Sequence, residues 1–200
     1  RAQLGKWAVQ HYYYIEVIAQ QFAALYARMP DLRGRLMLLE NLVGEEMPEN
    51  TDKSHPNLLL KFAEACGVAR DEVKEAEADG LILPTTRAMR SWIWELCSVR
   101  PLGQACAGIM VALEGQLPTL YPTYIKAMEK MGFSSDDLEF FHVHDVADVE
   151  HADVGLQLAY KYAPTRFEQE LAIAAVDASA GLRYSMLNGI QESVLVAHAA

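Results

Sequence analysis

Across almost the whole chain, apolar residues recur at i, i+3 and i+4 and no stretch alternates with period two, which constrains it to helices. Proline and glycine fall where such helices should stop. The spacing predicts a first helix over residues 4–29, with an apolar side of Trp7, Tyr14, Val17, Ile18, Phe22 and Leu25, ended by Pro30. Asp31 caps a second helix over 32–46. A polar loop, 47–54, leads to a third over 56–66, with Pro56 in its first turn and Gly67 just beyond its end. A short charged helix is expected near 71–77, a turn at 81–84, and a helix over 86–98. Pro101 opens the next, which carries Gly103, Ala105, Ala107 and Gly108 on closely packed turns. It passes Glu114, is bent or restarted by Pro118 and Pro122, and is closed by Gly132. Ser135, with Asp136 and Asp137 in the first turn, starts a helix that runs to just before Pro164, and a last one covers 165–197. With no internal repeat and no dividing linker, the 200 residues are expected to form one all-α domain.

On the helix that begins after Ser135, His144, Asp148 and His151 advance by four and then three residues. At 3.6 residues per turn those steps stack the three side chains on one face. Two imidazoles and a carboxylate aimed together into a helical interior are costly unless something positive neutralises them. A transition metal does so best, and the mixed N/O set suits iron, manganese or zinc rather than calcium or magnesium. His142 lies two residues before His144 and so points elsewhere.

Two further segments offer acids or imidazoles that sit oddly in a purely structural reading. Glu114 ends the apolar run that begins at Ile109, where a lone carboxylate is unwelcome. Glu45, with Glu46 as its rival one residue on, closes the second helix, and His55 opens the third across the polar loop. Bracketing one connection lets them converge. Together with the triplet these make three imidazoles and three carboxylates, enough for two metal ions with open positions. A pair of irons would accept electrons singly and bind dioxygen, whereas a zinc pair would favour hydrolysis. Arg87, Arg90 and Arg183 are candidate anchors for a substrate carboxylate, to be weighed against ordinary ion pairs. Tyr12, Tyr13 and Tyr14 are expected to divide between core and pocket wall, and His11 carries no constellation around it.

A formal charge of −10 provides no basic patch for a phosphate backbone or an anionic bilayer, so neither nucleic acid nor a membrane surface is expected as a partner. No apolar run reaches the roughly 18 residues of a membrane span. Small molecules fit better. The three cysteines, Cys66, Cys97 and Cys106, are odd in number, lack CxxC spacing and lie in apolar helical patterns, so buried thiols in a reducing, cytoplasmic compartment are expected. A two-fold homodimer is the commonest assembly for such an enzyme.

The order Glu…His…Glu…His-x3-Asp-x2-His on an all-α chain of this size resembles the haem-oxygenase-like di-iron oxidases and oxygenases, relatives of TenA and PqqC. The likeness runs from the stretch beginning at Trp7 through the closing helix. It implies a seven-helix bundle with a further helix expected ahead of Arg1. It also implies that Glu45, His55, Glu114, His144, Asp148 and His151 are metal ligands, holding two O2-reactive Fe(II) ions or a manganese/iron pair. Members of this pattern hydroxylate nitrogen, desaturate or cleave C–C bonds in amino acids and fatty acids, with O2 and in some cases an external reductant. The stretch from Leu38 to Glu46 and that from Ala147 to Ala152 are similar to the p-aminobenzoate-forming branch. The chain departs from that branch at Leu113 and Tyr124, where the branch has tyrosine and lysine, and Lys126 falls on another face. Two other readings stand beside this one: a metal-independent enzyme of the TenA or PqqC type, and a non-catalytic helical interaction module.

Overall fold

A computed structural model describes the backbone of residues 1–199 and the side chains outside 145–151 and 196–200. Among the described residues there are α-helices, one 3-10 turn and one π-helical segment, and no strand. The expected seven-helix count is therefore approximate, because ten α-helical segments are present and several are halves of one interrupted rod.

The first such interruption corrects the single helix expected over 4–29. Helix α1 (Ala2–Ile15) and helix α2 (Ile18–Arg28) are separated at Glu16 and Val17. Arg90 supplies the cause. Its guanidinium donates to the Tyr13 carbonyl at 2.9 Å, the acceptor that a continuous helix would offer to the Val17 N–H, and it pairs with Glu16 at 2.8 Å. The β-branched Ile15, Val17 and Ile18 add crowding at the same turn. Helix α2 stops where Met29 turns extended ahead of Pro30. Arg28 at its end donates to the Leu96 and Cys97 carbonyls in the last turn of α6 (Pro84–Ser98), which no intrahelical N–H can reach, and to the Arg100 carbonyl just beyond that helix.

Helix α3 (Leu32–Glu46) begins as expected, with Asp31 accepting from the Gly34 N–H at 3.0 Å. It ends at Met47 in a left-handed conformation, φ 45°. A short loop with a 3-10 turn (Thr51–Lys53) then delivers α4 (His55–Ala65), whose first residue is His55. The small α5 (Arg70–Glu75) and α6 follow.

The next rod is again irregular. After α7 (Leu102–Cys106) the chain winds as a π-helix over Ala107–Glu114, then resumes as α8 (Leu117–Lys130). Two long helices complete the bundle, α9 (Glu139–Tyr162) and α10 (Arg166–Ala199). Small residues set how closely α9 approaches the π-helical turns. A Cβ added at Gly155 would lie 2.4 Å from Met110 Cβ, and one at Gly115 would lie 3.2 Å from Ala152 Cβ. The stretch of α9 that follows His151 is thus pressed against the segment that ends in Glu114.

The core is a contiguous apolar cluster spanning α1 to α10, with Phe22, Leu25, Leu38, Phe62, Met89, Ile93 and Phe140 almost wholly buried. The three thiols are unpaired and buried, as the spacing suggests. No helix among the described residues is long and apolar enough to cross a membrane.

Candidate metal centre

Helix α3 presents Asn41 and Glu45 one turn apart on its inner side, and both are buried. Glu46 is exposed, so of the two acids at this helix end only Glu45 faces inward. The left-handed residue Met47 and the following loop turn the chain back so that His55 meets Glu45, with Nδ1 2.6 Å from Oε2. That approach lies outside hydrogen-bond geometry, so the buried Glu45 Oε2 gains no aligned N–H donor from it.

The His55 ring lies 4.2 Å from that of His144, centroid to centroid, and His144 is itself buried. His144 Nδ1 is 2.6 Å from the Phe140 carbonyl one turn earlier on α9. A carbonyl can only accept, so Nδ1 carries the proton and the lone pair stands on Nε2. This is the usual way that a backbone oxygen fixes the tautomer and orientation of a ligating imidazole.

Glu114 reaches the same region from the end of the π-helix. Asn41 donates to it through Nδ2, at 3.2 Å to Oε2 and 3.5 Å to Oε1. Asn41 is a residue that the sequence pattern did not single out. Its position four residues before Glu45, within an otherwise apolar inner face, was the available signal. Helices α3, α4, α9 and the π-helical turn thus bring Glu45, His55, His144 and Glu114 toward one region. The side chains of Asp148 and His151 lie outside the described residues. Among the described residues no group of three or more His, Cys, Asp or Glu side chains closes tightly enough to hold a metal ion.

His142 is half-buried, with Ser135 Oγ 3.4 Å from its Nε2, away from this region. Of the three candidate arginines, Arg87 pairs with Glu77 at 2.6 Å and Arg90 with Glu16 at 2.8 Å, so both are ordinary ion pairs. Arg183 is buried, and its NH1 group donates to the Tyr14 hydroxyl at 3.3 Å.

His11, expected to stand alone, instead sits among functional groups and is almost wholly buried. It stacks on Trp7 at 4.3 Å between centroids, and Tyr14 Oη lies 3.3 Å from its Nε2. Burial first, then the charge of Arg183 and then His144, holds its pKa well below the ordinary imidazole value, so the ring is neutral. The signal for it in sequence was its spacing to Trp7 and Tyr14, four residues after one and three before the other.

Residues 5–184 match the family described as iron-containing redox enzyme, and the chain belongs to that family. Among its relatives, a 4-aminobenzoate synthase of Nitrosomonas europaea is 29% identical over 96% of this chain and 80% of its own length. The bifunctional coenzyme PQQ synthesis protein C/D of Methylorubrum extorquens is 27% identical, covering 94% of this chain and half (50%) of that protein. In structure the chain is similar to a domain with a heme oxygenase-like fold from Shewanella denitrificans, with a TM-score of 0.80 at 17% identity, covering 98% of this chain and 81% of that one. It is similar as well to a TenA homolog from Pseudomonas syringae, with a TM-score of 0.79 at 18% identity, covering 95% and 79%. The fold is therefore the all-helical, haem-oxygenase-like one expected from the sequence.

Proposed function

We propose that this chain is a single-domain, non-haem di-iron oxidase or oxygenase that uses O2 to oxidise a small carboxylate-bearing metabolite. In this reading two irons are held by Glu45, His55, Glu114, His144, Asp148 and His151. The observation that carries it is the convergence of Glu45 and His55, 2.6 Å apart, beside the ring of His144. The donor set fits the group: imidazole and carboxylate together suit iron, and the family name points to the same metal. When bound, a pair of irons supplies one-electron steps and dioxygen activation that no side chain can perform.

The chain's own residues prepare that site. The Phe140 carbonyl keeps the His144 Nδ1 proton in place and so presents Nε2 inward. Asn41 orients the Glu114 carboxylate. Phe140 and Tyr121 pack against His144 and keep bulk water from that side, which strengthens every charge interaction within. The 4-aminobenzoate synthase relative suggests amine or aromatic amino-acid chemistry. Leu113 and Tyr124, standing where that branch has tyrosine and lysine, favour an external substrate instead.

The test is anaerobic titration with Fe(II), followed by O2 exposure in the presence of a panel of amino and fatty acids. Two equivalents of iron bound per chain, an absorbance change on adding O2 and an oxidised product are expected. Turnover that persists in rigorously metal-free protein would establish the metal-independent alternative. Neither metal nor turnover would leave the interaction module.

A further inference from the structure

Helix α3 carries its apolar stripe on the outside. Gly34, Leu38, Asn41 and Glu45 point inward and are buried. On the opposite side Leu32, Leu36, Leu39 and Val43 fall within about 60° of arc and form a stripe about 16 Å long. All four are exposed, to between 40% and 62%. Two polar residues inside and four large aliphatic ones outside invert the usual pattern of a surface helix.

The apolar surface extends beyond that helix. A groove of about 570 Å³ runs beside the stripe, lined by Arg33 and Met37 of α3 and by Leu156 and Tyr160 of α9, both of which are exposed as well. The six apolar side chains of stripe and α9 together show solvent on the order of 500 Å², at the upper end of what a lone subunit leaves in one patch and more than half of the roughly 800 Å² per partner of a standard interface.

The spacing identifies what covers it. Steps of four, three and four read the same in both directions, so a second α3 laid antiparallel on the first sets Leu32 opposite Val43 and Leu36 opposite Leu39. Charge agrees. Arg33 and Glu40 are exposed on the same flank of the stripe, two turns apart. A two-fold axis keeps like flanks together while reversing the helix direction, so each Arg33 comes within about 3 Å, measured along the helix, of the partner's Glu40. An anionic bilayer fits this face less well, because Glu40 and Glu46 border the stripe on a chain whose formal charge is −10.

We propose that α3 is a self-association surface: two copies of the chain pack antiparallel through Leu32, Leu36, Leu39 and Val43 about a two-fold axis, with reciprocal Arg33–Glu40 pairs on one flank. Leu156 and Tyr160 widen the contact toward α9. None of the proposed metal ligands lies on this face, so the proposal stands apart from the oxidase reading. The partner presses on the outer side of the helix whose inner side presents Asn41 and Glu45.

Sedimentation velocity on the full chain at low ionic strength, from low to high micromolar concentration, reads the association. A dimer of the 22.3 kDa chain is expected. Leu36→Glu sets two carboxylates in the middle of the contact and should weaken association at least about 100-fold, while thermal unfolding of the separated chain stays close to the original because Leu36 faces outward. Arg33→Glu alone and Glu40→Arg alone should each weaken it about 10-fold by setting like charges against one another. Mixing those two single variants should restore it, since each then meets the opposite charge on the other. A merely destabilised fold, or a contact on another face, does not give that reciprocal rescue. A monomer at every concentration, a dimer indifferent to Leu36→Glu, or no rescue on mixing overturns the proposal.

Discussion

Asn41 on α3 holds the carboxylate of Glu114 across the bundle, its Nδ2 3.2 Å from Oε2. One turn further along the same helix, Glu45 meets His55. A single helix face therefore both supplies one proposed ligand and aims another. Asn41→Leu keeps the side chain's bulk and deletes the donor, so Fe(II) affinity should fall by about 10- to 100-fold with little change in folding. Anaerobic equilibrium dialysis checks it, and unchanged affinity removes Asn41 from the site.

In the proposed site a bound cation would draw together the donors at the end of α3, the start of α4 and on α9 and so tie these helices to one another. Amide exchange over 144–151 should therefore slow on adding Fe(II), while exchange in the Phe22 and Leu25 turns of α2 stays as it was. Identical protection of 144–151 in both states argues that no metal is held there.

Gly155 lets α9 lie against the π-helical turns, since a Cβ there would stand 2.4 Å from Met110 Cβ. Gly155→Ala should cost about 1–3 kcal/mol through overpacking, despite alanine's better helix propensity. Thermal unfolding reads it directly. The metal-free protein should show the loss too, which separates packing from ligation.

Burial pushes the Cys66 thiol up to about 11 and that of Cys106 up to about 12, and raises Cys97 as well. An unfolded thiol ionises near 8.5. From about pH 9 upward the unfolded chain therefore holds fewer protons than the native one, and stability falls as pH rises, by roughly 1.4 kcal/mol per pH unit for each thiol until its native pKa is reached. Urea unfolding at pH 8 and pH 10 measures the slope. At pH 8 a thiol-specific disulfide reagent should label the native protein only at its unfolding rate.

Much of the architecture was legible from local signals. Asp31, Pro56 and Gly67 mark helix ends because caps and breakers act through their own backbone, and those ends are where the structure has them. Glu45 and His55 could be brought together on paper because a short loop leaves them little choice. The break after Ile15 could not, because the group that takes the Tyr13 carbonyl is Arg90, 77 residues away in sequence. Asn41 and His11 escaped notice for a related reason. Their polarity acquires meaning only through Glu114, Arg183 and Tyr14, which reach them from other helices. The ion pair of Arg90 with Glu16 is equally non-local, whereas that of Arg87 with Glu77 spans only ten residues.

The widened winding over Ala107–Glu114 was invisible to periodicity, and it fixes where Glu114 ends up. A π-helix closes each hydrogen-bonded turn over one more residue than an α-helix does. Wound as an ordinary α-helix, the same residues would each advance by about 100°, more than the wider turns allow, and Glu114 would be carried past the side of the rod that faces Asn41. The winding of this stretch is accordingly as much a part of the proposed centre as the acids and imidazoles themselves.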